Sequence, residues 1–139
     1  MITKPLNPRY NAQKPYENVQ SGYYIVGDRK MFFRSKMEAN FALYLEFLKV
    51  KGEIISWEYE PITFVFEKIL FGTRSYKPDF RITKPNGAVE YFECKGYFDK
   101  KSRTKLKRMK IYYPNVKVSV IGKAEYRALA KWQKLLKWY

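Results

Sequence analysis

Histidine is absent from the 139 residues, and cysteine occurs once. The first absence excludes Ser-His-Asp chemistry, His-dependent nuclease folds and the common zinc sites. The second excludes an internal disulfide and fits a reducing cytoplasm. No apolar run approaches the roughly 20 residues that cross a bilayer, and Met1-Ile2-Thr3-Lys4-Pro5 lacks the apolar stretch of a signal peptide. Acids are also scarce, 13 Asp+Glu against 28 Lys+Arg, which leaves +15 and makes nucleic acid the leading partner. What is plentiful is apolar material: 46% hydrophobic and 19% aromatic residues, enough to fill the core of one domain and to exclude overall disorder.

The charge is unevenly placed. Met37 to Phe71 carries six acids and three bases, a net −3, so the rest of the chain carries +18. Lys100 to Lys117 holds eight bases and no acid. A basic surface around a small acidic set suits an enzyme that attracts a polyanion and presents carboxylates to it.

Residues 1–20, with Pro5, Pro8 and Pro15 among Lys4, Arg9 and Lys14, read as a basic arm, and 21–139 as a single domain. Tyr23–Val26 and Lys30–Phe33 flank Gly27-Asp28 as a hairpin. Ser35 to about Lys51 is a helix, opened by the capping box Ser35-Lys36-Met37-Glu38 and striped by Met37, Phe41, Tyr44, Leu45 and Leu48. Ile54–Tyr59, Ile62–Glu67, Ser75–Thr83 and Ala88–Tyr97 read as strands, the last two joined by the turn Pro85-Asn86-Gly87. A helix is predicted over Ser102–Tyr113, with Leu106, Met109 and Tyr113 inward, then a strand over Val116–Ile121. A closing helix from Lys123 puts Arg127, Lys131, Lys134 and Lys137 opposite Tyr126, Leu129, Trp132, Leu135 and Leu136. The order predicts an α/β (α+β) domain, a mixed central sheet flanked by helices.

The chemistry gathers at Pro78-Asp79 and Glu93-Cys94-Lys95. On an extended strand Glu93 and Lys95 share a face about 7 Å apart, and Asp79 on the partner strand comes within reach of Glu93. Neighbouring carboxylates repel, and a hard cation such as Mg²⁺ removes that penalty. Lys95 would position or deprotonate water, or steady phosphate charge. The backbone carbonyl of Cys94 is a further candidate ligand; its thiol need not take part. Glu38 falls between Ala42 and Leu45 on the apolar stripe, where unpaired carboxylates are rare.

Pro-Asp, a gap, then Glu-X-Lys, with a helical Glu upstream, resembles the signature of the PD-(D/E)XK nucleases, over about Phe33 to Val120. Arg34-Ser35-Lys36-Met37-Glu38 and Trp57-Glu58-Tyr59-Glu60-Pro61 resemble phage members of that group, the Holliday-junction resolvases and the endonuclease I type. The resemblance implies a restriction-endonuclease-like core and Mg²⁺-dependent DNA cleavage, with Mn²⁺ as a substitute, leaving 5′-phosphate and 3′-hydroxyl ends. It implies that Asp79 and Glu93 hold the metal, that Lys95 serves the water and that Glu38 completes the site, beside the Cys94 carbonyl already noted as a candidate ligand. A four-way junction is the first choice of substrate, and paired cuts across it call for a homodimer. No small-molecule cofactor or membrane is expected, and a phage-encoded chain would act in the bacterial host cytoplasm. Other nuclease activities of the superfamily (nicking, branched-DNA, transposon-end or exonuclease) and a non-catalytic nucleic-acid-binding protein are the competing readings.

Each feature also has a plainer reading. Glu38 completes a helix cap, Glu93 and Lys95 form an ion pair, and Glu58 and Glu60 line a solvated strand face. The Lys123–Lys137 stripe reads equally as a solvated helix face. Arg34, Ser35 and Lys36, beside Glu38, and Lys100, Lys101, Arg103, Lys105, Lys107 and Arg108, just after Lys95, are the expected phosphate contacts. Tyr97, Phe98, Tyr112 and Tyr113 are expected in the core rather than as stacking platforms.

Overall fold

The structure, a computed structural model, describes residues 20–139. The expected basic arm lies, apart from Gln20, outside the described residues. Among the latter, no helix is long and apolar enough to cross a membrane.

The chain opens with the hairpin β1 (Gly22–Val26) and β2 (Arg29–Phe33), turning through Gly27 at φ 63°, a left-handed conformation that glycine adopts without a Cβ clash. Helix α1 (Lys36–Val50) follows, and the Ser35 hydroxyl accepts from Glu38 N at 3.0 Å to cap its first turn. Then come β3 (Ser56–Tyr59), the short pair β4 (Phe64–Val65) and β5 (Ser75–Tyr76), and β6 (Phe80–Thr83) with β7 (Val89–Cys94). Helix α2 (Lys100–Tyr112) crosses over to β8 (Val118–Ile121). Helix α3 (Lys123–Leu129), a 3-10 turn Ala130–Trp132 and α4 (Gln133–Leu136) close the chain.

The central sheet runs β3-β6-β7-β8. Its first three strands are antiparallel and β8 is parallel to β7, as a pair joined by a helical crossover requires. The domain is α+β, with a mixed sheet flanked by helices. Side chains alternate across it. Trp57, Phe80, Ile82 and Cys94 point to one face and pack with Phe41, Ala42 and Leu45 of α1 and with Tyr24, Val26 and Phe33 of the hairpin. Tyr91 points to the other, where Phe64, Phe66, Tyr76 and Met109 of α2 make a smaller cluster. Leu106, Tyr112 and Tyr113 pack against that cluster.

Two expected elements are broken. The strand expected over Ser75–Thr83 is two, since Lys77-Pro78-Asp79 interrupts it and proline supplies no ladder N–H. The single closing helix is three short pieces, and Leu135, expected inward, is exposed. Its last turn stops at Lys137, which is left-handed at φ 53°. The remaining chain docks by Tyr139, whose hydroxyl accepts from Ile25 N at 2.9 Å and donates to Ile25 O at 2.6 Å.

Candidate active site at one end of the sheet

The pairing register explains how Asp79 and Glu93 meet. Phe80 faces Phe92, so one step beyond the strand end Asp79 comes opposite Glu93. Lys84 N donates to Ala88 O. Even-numbered residues of β6 and β7 therefore exchange the ladder bonds, and the 79/93 position is the closer, non-bonded kind in which side chains crowd. The bonded pair after it would be Pro78 with Cys94. Proline has no N–H to give, and the Cys94 N–H goes to Asp79 Oδ2 at 2.8 Å instead. In a strand a residue's N–H and C=O lie on the same side. The Cys94 carbonyl therefore faces the same gap, opposite a residue that cannot donate to it. The Pro-Asp dipeptide thus ends the ladder and opens the place where an oxygen-seeking group would fit. On the other side, Glu60 N donates to Asp79 O at 2.7 Å, which fixes the Asp79 backbone against the end of β3.

Glu38 arrives from the first turn of α1. Its side chain does not follow the plain capping-box reading: the carboxyl accepts from the Tyr59 hydroxyl at 3.2 Å, while Ser35 alone supplies the side-chain cap. Glu38 is 5% exposed and Glu93 8%. Burial, reinforced by Asp79, raises the Glu38 pKa well above the usual carboxylate range. Burial also raises Asp79, against the opposing pull of the Cys94 N–H. Burial and the Asp79 charge push Glu93 up to about 8, partly countered by Lys95 and Lys105. Asp79 lies within side-chain hydrogen-bonding reach of both Glu38 and Glu93. Among the described residues, no three His, Cys, Asp or Glu groups already stand in a metal-binding cage. Asp79 is instead near enough to share a proton with either of the other two. A donor set made wholly of oxygen, buried and self-repelling, fits a hard divalent cation better than it fits any arrangement of three bare anions.

The site therefore unites Glu38, Asp79, Glu93 and Lys95, drawn from α1, the approach to β6, and the end of β7. Lys95 lies just past β7, its N–H bonded to Ile121 O at 3.0 Å. The Cys94 thiol turns away into the main core, and burial raises its pKa well above the ordinary value.

The expected phosphate contacts divide. Lys105 faces the site, close enough to lower Glu93. Lys100, Lys101, Arg103 and Lys107 are exposed on α2, and Lys36 is half-buried at the start of α1. Arg34 forms an ion pair with Glu60 at 3.1 Å, Ser35 caps α1, and Arg108 donates to the Thr73 carbonyl. Two tyrosines went unread in the sequence. Tyr59 donates to Glu38, and Tyr76 donates to Glu93 Oε1 at 3.3 Å. Tyr76 stands three residues before Asp79, the one local signal that would have found it.

Fold and site together define the class, an α+β domain with a carboxylate-lined sheet end beside a basic helix. Residues 21–128 match the family DUF1064, described as a protein of unknown function, and the chain belongs to that family. The matched span includes Glu38, Asp79, Glu93, Lys95 and all of α2. No curated protein matches the chain.

Proposed function

We propose that the protein is a Mg²⁺-dependent DNA endonuclease of the PD-(D/E)XK kind, acting on branched DNA and foremost on four-way junctions. The observation that carries this reading is the convergence of Glu38, Asp79 and Glu93 around the gap opened by Pro78, with Lys95 alongside. Asp79, Glu93, Glu38 and the Cys94 carbonyl would hold the cation, which supplies charge neutralisation and polarises a phosphoryl oxygen.

The chain's own residues do the rest. Tyr59 and Tyr76 orient Glu38 and Glu93 by hydrogen bonds, leaving the other carboxylate oxygens for ligation. The Lys95 Nζ, on the Glu93 side of the strand, orients water or donates to a phosphate oxygen. The α2 lysines and arginines attract backbone phosphates without reading bases, which suits recognition by shape. Products would be a 5′-phosphate and a 3′-hydroxyl. Symmetric cuts across a junction require two such sites, hence a homodimer.

The test is cleavage of a synthetic four-way junction with Mg²⁺, with EDTA as control, by wild type and Glu93→Ala. Wild type should cut the junction in preference to linear duplex, flap or single strand, and the variant should bind without cutting. Equal cleavage by both removes the assigned site. Binding without cleavage by wild type leaves a non-catalytic nucleic-acid-binding protein.

A further inference from the structure

The connection between β4 and β5 holds the most exposed large apolar side chains of this part of the molecule. Leu70 is 71% exposed and Phe71 86%, next to Gly72 at φ 75°. Their neighbours are anchored. Phe66 and Ile69 pack into the smaller cluster, Phe66 N donates to Arg74 O at 2.8 Å, and Ile69 N donates to Phe66 O at 2.9 Å. Arg108 of α2 holds the Thr73 carbonyl, and the Tyr113 hydroxyl donates to Val65 O at 2.7 Å. A loop pinned on both limbs that still presents Leu-Phe to solvent is an apolar projection with an anchored base.

Its surroundings choose the partner. From Glu67 to Lys77 there are three bases and one acid, and the α2 helix that pins the loop holds seven bases and no acid from Lys100 to Lys110. A second copy of this chain would bring like charges together around the contact, whereas a nucleic acid supplies phosphates for the bases and a base stack for the ring. The loop is also continuous with the proposed site, since it runs directly into Tyr76, the donor to Glu93. Phe71 and Asp79 are eight residues apart, so they lie within about 28 Å even on a fully extended chain.

We infer that Leu70 and Phe71 form an apolar wedge that stacks on the unpaired or terminal base step at a DNA branch point, giving the enzyme its preference for branched over linear DNA. This rests on the nuclease reading for its biological meaning, but its readout does not. A four-way junction carrying 2-aminopurine at the branch point is titrated in EDTA, where nothing is cut, beside a linear duplex of equal length. Wild type should enhance the 2-aminopurine fluorescence by unstacking the probe. Phe71→Ala should lose that enhancement and about tenfold in junction affinity, the loss of one stacked base, with duplex affinity unchanged. Phe71→Trp should retain both.

An unchanged fluorescence response and junction-to-duplex ratio in Phe71→Ala overturns the wedge, whatever the cleavage assay shows. So does conversion of a DNA-free dimer to monomer by Phe71→Ala in sedimentation, which would make the loop a self-association surface. A wild type that unstacks the probe yet never cuts with Mg²⁺ overturns the nuclease reading and leaves the wedge standing.

Discussion

Glu90 and Glu93 lie three residues apart on β7, both buried, and the protein treats them in opposite ways. Glu90 accepts from the Ser119 hydroxyl at 2.7 Å and pairs with Lys84 at 3.3 Å and Lys117 at 3.5 Å. Burial alone would raise its pKa, but Ser119 and the two ammonium groups outweigh that and lower it. Glu93 faces Asp79 across the strand gap, and its pKa rises to about 8. A buried carboxylate placed for stability is surrounded by donors. One that is crowded by another carboxylate, with Lys95 and Lys105 only partly offsetting burial, is the kind of group that clusters at functional sites. The contrast separates the two ends of the sheet: one surrounds a carboxylate with cations, the other crowds buried carboxylates together.

Emptying the Glu93 end should have the largest effect. Glu93→Ala or Asp79→Ala is expected to lower Mg²⁺-dependent junction cleavage by about 10³-fold, while DNA affinity in EDTA stays within a factor of about two; these magnitudes follow from removing a principal electrostatic group of a hydrolytic site. Single-turnover cleavage and fluorescence anisotropy measure the two arms. Comparable cleavage by the variants would place Glu93 on the same footing as Glu90.

The next effect is in the pH dependence of stability, where the two glutamates have opposite signs. The folded pKa of Glu93 lies above its ordinary 4.5, so its favourable contribution is full at acid pH and is lost as pH rises through about 8. Glu38 and Asp79 shift the same way. Glu90 is depressed, so its contribution is present above the ordinary carboxylate range and lost on acidification. In EDTA the melting temperature should therefore decline between pH 5 and pH 9, and millimolar Mg²⁺ should reverse the decline at the alkaline end. In Glu93→Gln the alkaline decline should be smaller. A flat profile in wild type would mean that the three carboxyls do not crowd one another.

A smaller effect is expected from the tyrosine that orients Glu93. Tyr76→Phe keeps the buried ring and removes only the donor to Oε1. It should weaken Mg²⁺ by about tenfold, the usual cost of losing a partner behind a ligand, and recover cleavage at higher Mg²⁺. Titrating cleavage rate against Mg²⁺ separates this from a folding defect, which added metal would not cure in kcat. No change in the apparent Mg²⁺ affinity would reduce Tyr76 to a core aromatic.

Much of this arrangement is legible in the chain. Gly27-Asp28 marks the first hairpin, and Ser35 with the Phe41–Leu45 stripe marks α1. Pro85-Asn86-Gly87 sets the register that puts residue 79 opposite residue 93. The three candidate carboxylates stand out by type and spacing, because carboxylates are poorly tolerated on an apolar stripe or opposite one another on a strand, and Lys95 by sharing the Glu93 face. What escaped the sequence had physical reasons. A buried tyrosine reads as core, and whether its hydroxyl meets Glu38, Glu93 or a backbone carbonyl depends on packing from distant segments. Pro78 sat inside a run of strand formers, and its local cost was hidden by the runs on either side. The Arg34–Glu60 ion pair and the Arg108 bond to Thr73 O join segments distant in the chain, which no local pattern encodes, whereas the Ser35 cap on Glu38 N is local and legible. The Lys123–Lys137 stripe fits one long helix by spacing, while docking of Tyr139 onto Ile25 bends the chain through three short pieces.

The smallest effect belongs to Glu90. Glu90→Gln keeps the shape and an acceptor for Ser119 but removes the charge facing Lys84 and Lys117. Both lysines are substantially exposed, so solvent screens their pairing, and a carboxylate flanked by such partners contributes modestly. A loss of about 1 kcal/mol in urea unfolding is expected, with an unchanged slope, since the same surface is exposed on unfolding. Cleavage and its Mg²⁺ dependence should be untouched, because Lys84 and Pro78 lie at opposite ends of β6, with the length of the strand between them. The informative comparison is with Glu93→Gln under metal-free conditions at pH 8. There, removing the charge should stabilise the fold, because it relieves the repulsion from Asp79. Two isosteric substitutions three residues apart, one destabilising and one stabilising, would establish that the carboxylate cluster is strained in the fold. Equal losses from both would mean that Glu93 is held as contentedly as Glu90.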